Sequence, residues 1–69
     1  MFDGFPRSVL EWLFDEYLVN MFNAERNRAI MKRRFIDGVT YERLSEEFAM
    51  SDWQVKHIVK DCVKRLKDV

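Results

Sequence analysis

Lys56 and His57, with Ser51 and Gln54 just before them and Lys60 and Lys64 just after, gather hydrogen-bond donors and positive charge into one short stretch of chain. A lysine ammonium only donates, an imidazole offers a donor on a flat ring, and an amide can both donate and accept. Groups of this kind suit the edges of bases and the oxygens of phosphates, not the breaking of bonds. Thr40, Tyr41 and Arg43 lie a little upstream and add hydroxyls and a guanidinium of the sort that holds phosphate. Catalytic constellations are missing from the sequence, which has no glycine-rich phosphate loop and no nucleophile set beside a base. Glu46, Glu47 and Asp52 fall where exposed helix ends need solvation. With one cysteine, Cys62, and one histidine there is no internal disulfide and no set of soft ligands for zinc. No catalytic residue, metal or cofactor is expected.

The elements that must position these groups are legible from their apolar spacing. Leu44 and Phe48 lie four apart, Val55 and Ile58 three apart, and Met50 sits between the pairs, so all five can share one small core. Ser45 and Ala49 are small enough to let two steeply crossing helices approach. Ser51 with Gln54 three residues on reads as a capping box, which starts the second helix at Asp52. Two short helices joined by a tight turn over residues 40–58 form a helix-turn-helix, and double-stranded DNA is the first partner to consider.

The rest of the chain reads as helical too. Helix one is predicted to start between Pro6 and Val9, with Ser8 and Glu11 as a second capping box, and to run to about Asn20. Its apolar residues, Val9, Leu10, Trp12, Leu13, Phe14, Tyr17, Leu18 and Met21, cover more than one narrow stripe and call for cover on two sides. Helix two should span Ala24 to Phe35 behind Asn23, and Asp37-Gly38 should reverse the chain. Helix three follows Thr40 from Tyr41 to Phe48. Helix four runs from Asp52 to Lys67, with Val55, Ile58, Val59, Cys62 and Leu66 inward. The expectation is an all-α, four-helix single domain over residues 1–69, in which an apolar N-terminal helix (1–22) precedes the helix-turn-helix region (24–67). Trp12, Phe14 and Tyr17 on helix one, and Trp53 at the start of helix four, are the expected protein-interface residues. A homodimer through helix one would bring two recognition helices to DNA.

At 69 residues, 48% hydrophobic and 14% aromatic, the chain is folded rather than disordered, although its core is small. The net charge of zero conceals a division. Residues 1–22 hold Arg7 against Asp3, Glu11, Asp15 and Glu16, while residues 23–69 carry eleven basic and eight acidic side chains. Two basic groups stand out: Arg26, Arg28, Lys32, Arg33 and Arg34, then Lys56, Lys60, Lys64, Arg65 and Lys67. One positive face could therefore meet phosphates. Glu11, Asp15, Glu16 and Asn20 interrupt the most apolar stretch, so no export signal or membrane span is read, and a reducing cytoplasm suits the lone cysteine. Between a complete short protein and a domain cut from a longer one, Met1 and the orderly start of helix one favour the former as the expectation.

The runs Arg26-Asn27-Arg28-Ala29-Ile30-Met31 and Arg34-Phe35-Ile36-Asp37-Gly38-Val39-Thr40-Tyr41-Glu42, then Met50-Ser51, Val55-Lys56-His57-Ile58 and Val63-Lys64-Arg65-Leu66, resemble the C-terminal DNA-binding domain of bacterial sigma factors. The resemblance covers about residues 24–67 and implies a helix-turn-helix that reads the promoter minus-35 element in a domain that also packs on the flap of RNA polymerase. It implies that Ser51, Asp52, Trp53, Gln54, Lys56 and His57 face the major groove. Asp52 and Trp53 depart from the usual arginine or other polar residue, and Ala49 replaces the usual glycine of the turn, which implies a slightly altered crossing. The chain is too short for the promoter-melting domain of a complete sigma factor. Two partners follow: double-stranded DNA for a small transcriptional regulator, and RNA polymerase or another protein for a docking module of the same fold.

Overall fold

The computed structural model describes residues 4–68, so Met1 and Asp3, which entered the readings above, lie outside the described residues. Four helices follow one another: α1 (Arg7–Tyr17), α2 (Ala24–Phe35), α3 (Tyr41–Glu47) and α4 (Asp52–Lys67). No strand occurs among the described residues, and no helix is long and apolar enough to cross a membrane.

The helix starts have local causes, whereas the end of α1 is set from elsewhere in the fold. Pro6, with its fixed extended backbone, precedes α1 and its carbonyl accepts from the Val9 and Leu10 amides at 3.1 Å. The expected Ser8–Glu11 box does not form, because Ser8 is already inside the helix and Glu11 accepts from Arg7 Nε at 3.4 Å instead. α1 ends at Tyr17, short of the predicted Asn20, where Leu18 leaves helical geometry. The connector that follows is secured by side chains from elsewhere: Arg28 donates to the Leu18 carbonyl at 2.8 Å, Arg65 to that of Asn20 at 3.3 Å and Asn27 to that of Phe22 at 3.3 Å. Chain reversal thus replaces another turn of helix. Asn23 precedes α2 as expected, but in a left-handed conformation with no side-chain cap. Thr40 caps α3 by accepting from the Arg43 amide at 3.2 Å, and the Ser51–Gln54 capping box opens α4 in full.

α2 is the hub, packing on α1, α3 and α4, while α3 packs on α4. Leu10, Phe14 and Leu18 point inward from α1 and its end, Ile30 and Met31 from α2, Leu44 from α3, and Val55, Val59 and Cys62 from α4. Full burial of an aliphatic or aromatic side chain contributes about 1.5–3 kcal/mol before chain entropy is counted. The α4 inner face therefore centres on Val55, Val59 and Cys62, and Ile58 and Leu66 stand half-buried at its edges. Leu44 and Val55 occupy the helix-turn-helix core as expected, with Phe48 and Met50 packed at its margin. Burial and the Asp61 carboxylate push the Cys62 thiol up to about 11, which keeps it protonated as a small core residue. α1 is covered on one side only: Trp12 remains 55% exposed.

The turn itself corrects one expectation. Ala49 is exposed and makes no close helix crossing; its φ of +54° ends α3 in the left-handed region. The Met50 amide donates to Ser45 O at 2.9 Å and the Ala49 amide to Glu46 O at 3.4 Å, a Schellman closure that glycine would adopt without strain. Alanine accepts the same geometry, at a cost of about 1–2 kcal/mol. Ala49→Gly should therefore raise stability by about 0.5–1 kcal/mol, after allowance for the greater freedom of glycine in the unfolded chain. A urea midpoint that moves down would show that the left-handed turn is not what limits stability here.

Candidate nucleic-acid interface

With Val55, Val59 and Cys62 turned inward, a rotation of about 100° per residue carries Trp53, His57, Lys60 and Lys64 to the opposite side of α4. Ser51, Gln54, Lys56, His57, Lys60 and Lys64 are all exposed; Lys56, His57, Lys60 and Lys64 share one groove, while Gln54 lies with His57 on a separate hollow beside Trp53. Lys67 extends the row, and these lysines border the groove together with Phe35, Tyr41, Val59, Val63 and one acidic residue, Asp61. Tyr41 joins them through its ring, which has Arg34 at 4.3 Å from its centre and Lys56 Nζ at 5.8 Å. These two cations on one aromatic ring couple α2, α3 and α4. Thr40 and Arg43 lie at the start of α3 on a separate shallow depression with Arg33 and Asp37, which shares no lining residue with the lysine groove.

Charge pairing explains how a neutral chain keeps a cationic face. Asp15 holds Lys32 at 2.8 Å and Arg28 at 3.9 Å; Arg33 meets Asp37 at 3.0 Å and Glu47 at 2.9 Å. Arg34 donates to the Val39 carbonyl at 3.0 Å. The basic cluster of α2 is thus engaged with the fold itself. Lys56, Lys60, Lys64 and Lys67 make no ion pair among the described residues.

Three candidates are partly committed to the fold, Thr40 through its cap on the Arg43 amide and Gln54 and Ser51 through their shared box. Gln54 Oε1 accepts from the Ser51 amide at 3.1 Å, which leaves the amide nitrogen but not the oxygen for bidentate pairing with adenine. Ser51 Oγ accepts from the Gln54 amide at 3.1 Å. Trp53, expected at a protein interface, is 70% exposed and stacks on His57 with ring centres 4.9 Å apart and planes 13° apart. It therefore shares the surface of the DNA candidates. His57 Nε2 lies 3.7 Å from Asp61.

On α1 the expected interface trio divides. Trp12 is exposed and meets the half-buried Tyr17 edge to face at 5.8 Å. Phe14 is a correction: it is fully buried in the core and lies 6.4 Å from the Phe35 ring, so it presents no surface to a partner. Sequence reasoning missed Asn27, the one buried polar residue among those described, and Phe22, which is 88% exposed. Nothing in the local spacing of Asn27 marks it; its role appears only once the connector folds back to present the Phe22 carbonyl.

A short helix, a left-handed turn and a capped second helix with a solvent-facing cationic side define a helix-turn-helix DNA-binding domain. The chain belongs to the family described as Sigma-70, region 4, whose model matches residues 24–68. Neither the curated proteins nor the solved structures gave a match. α1 lies before the matched residues, yet its Leu10 and Phe14 complete the core.

The Arg33–Glu47 contact carries a pH dependence. Hydrogen bonds from Arg33 hold the Glu47 carboxyl below its ordinary value of 4.5, against opposing desolvation. A carboxyl depressed in the folded state contributes stability that is present above its unfolded pKa and lost as the pH falls through the folded one. Glu47→Gln should lower stability at neutral pH slightly and make the decline below pH 4.5 less steep than in the parent, as followed by urea denaturation. An identical acid profile in the variant would show that the pair contributes nothing in solution.

Proposed function

We propose that this protein is a small cytoplasmic transcriptional regulator that binds double-stranded DNA with α4 in the major groove. Lys56, His57, Gln54 and Ser51 face base edges, and Thr40, Tyr41, Arg43, Lys60 and Lys64 hold phosphates. The observation that carries this reading is the unpaired lysine row of α4, in a chain where the α2 cations are bound internally. Each phosphate neutralised should add about −0.9 to the slope of log affinity against log salt. Lys60→Ala and Lys64→Ala should each flatten that slope by about 1 in fluorescence anisotropy titrations. Lys56→Ala combined with His57→Ala should abolish sequence preference and leave the helical circular dichroism intact. A salt-independent affinity, or unchanged preference in the double variant, contradicts the assignment.

A second reading is favoured by the exposure of Val9 and Trp12 on the outer side of α1, away from the inward Leu10 and Phe14. Aromatic and aliphatic side chains left in water at this density suit a protein contact, with RNA polymerase or another component of a nucleic-acid machine as the partner. The same face is where a second copy would pair. Sedimentation that finds only monomer at high micromolar concentration eliminates the homodimer, and a Trp12→Ala variant that keeps full affinity for polymerase eliminates the docking surface.

A further inference from the structure

The outer ridge of α4 begins with a feature that phosphate binding does not use. Trp53 stands in the first turn, lies flat on His57 and is 70% exposed, while Asp61 approaches the imidazole one turn further along at 3.7 Å. Residues 53, 57 and 61 follow one another at i, i+4 and i+8, so each backs the next along a single line. The stack braces one face of the indole against the imidazole and leaves the rest in solvent. Beside it runs a shallow hollow with Phe22, Met50 and Ile58 among its lining. Asn23, Arg26, Gln54 and His57 line the hollow as well, so the apolar surface here is that of the exposed Trp53 and Phe22 rings, and Trp53 stands where base-reading helices ordinarily present hydrogen-bonding groups.

The neighbouring groups sharpen this. Gln54 has its oxygen in the capping box, and the carboxylate of Asp52 can only accept hydrogen bonds. Among the groups that base pairs display in the major groove, one is apolar: the C5-methyl of thymine. Resting on the reading of α4 as a DNA-recognition helix, we infer that Trp53, positioned by His57, is a specificity-determining residue that selects thymine by covering its C5-methyl group. His57 acts here as a positioning residue as well as a donor.

The test uses the whole chain. Duplexes are selected from a random library, and the thymines of the enriched sequence are replaced one at a time by deoxyuridine, which deletes only the methyl group. At one or two positions the substitution should weaken binding about three- to fivefold, the effect expected of one methyl withdrawn from an apolar contact. Trp53→Ala should bind the thymine and uracil duplexes equally, and Trp53→Phe should keep part of the difference. If the parent chain prefers the selected sequence yet binds thymine and uracil duplexes alike, the methyl-reading role falls and DNA recognition stands. If the parent chain enriches no duplex at all, the DNA reading itself falls.

Discussion

Everything accessible on α4 depends on what its inner edge is obliged to bury. Val55, Val59 and Cys62 repeat at the spacing of one helical face and pack on the hub formed by Ile30 and Met31 of α2. Once that edge is fixed, the rotation of the helix is fixed, and the lysines have no route inward. The exposed lysine row is therefore a by-product of core packing. α1 contributes to the same end, because Leu10, Phe14 and Leu18 close a core that would otherwise be open on that side.

Electrostatic economy completes the arrangement. A domain with equal numbers of acidic and basic residues has no net attraction for phosphate, and any affinity must come from how charges are paired. Here Asp15, Asp37 and Glu47 absorb Arg28, Lys32 and Arg33, while the connector carbonyls occupy Arg28 and Arg65. Such exposed pairs contribute little to stability individually. Their larger effect is to tie Arg28, Lys32 and Arg33 to the fold, while Lys56, Lys60, Lys64 and Lys67 of α4 keep no ion pair among the described residues.

Much of this is readable without coordinates, for reasons that differ by element. The bounds of α4 follow from a cap and apolar spacing that are local in sequence, with Ser51 and Gln54 forming the box their types imply, whereas Asn23 precedes α2 without a side-chain cap. The end of α1 is not legible because nothing local stops it; the connector is held by Arg28, Asn27 and Arg65, which approach from other helices. Phe14 reads as surface because α1 carries apolar residues around most of its girth, and only packing decides which of them meet α2. Ala49 reads as a small side chain at a helix crossing, whereas the turn uses its backbone. In the candidate site the row of lysines is legible from helical spacing, but the Trp53–His57 stack is not, since propensity says nothing about whether two exposed rings lie face to face.

The central claim is that the side of α4 opposite the core is the surface that meets a duplex. Backbone amide and indole shifts of isotopically labelled protein, followed as selected duplex DNA is added, test it most directly. The account predicts that the amides of Lys56, His57, Lys60 and Lys64 and the Trp53 indole move together and saturate, while Val9 and Trp12 stay in place. Shifts confined to the α1 face, with α4 undisturbed, would contradict it.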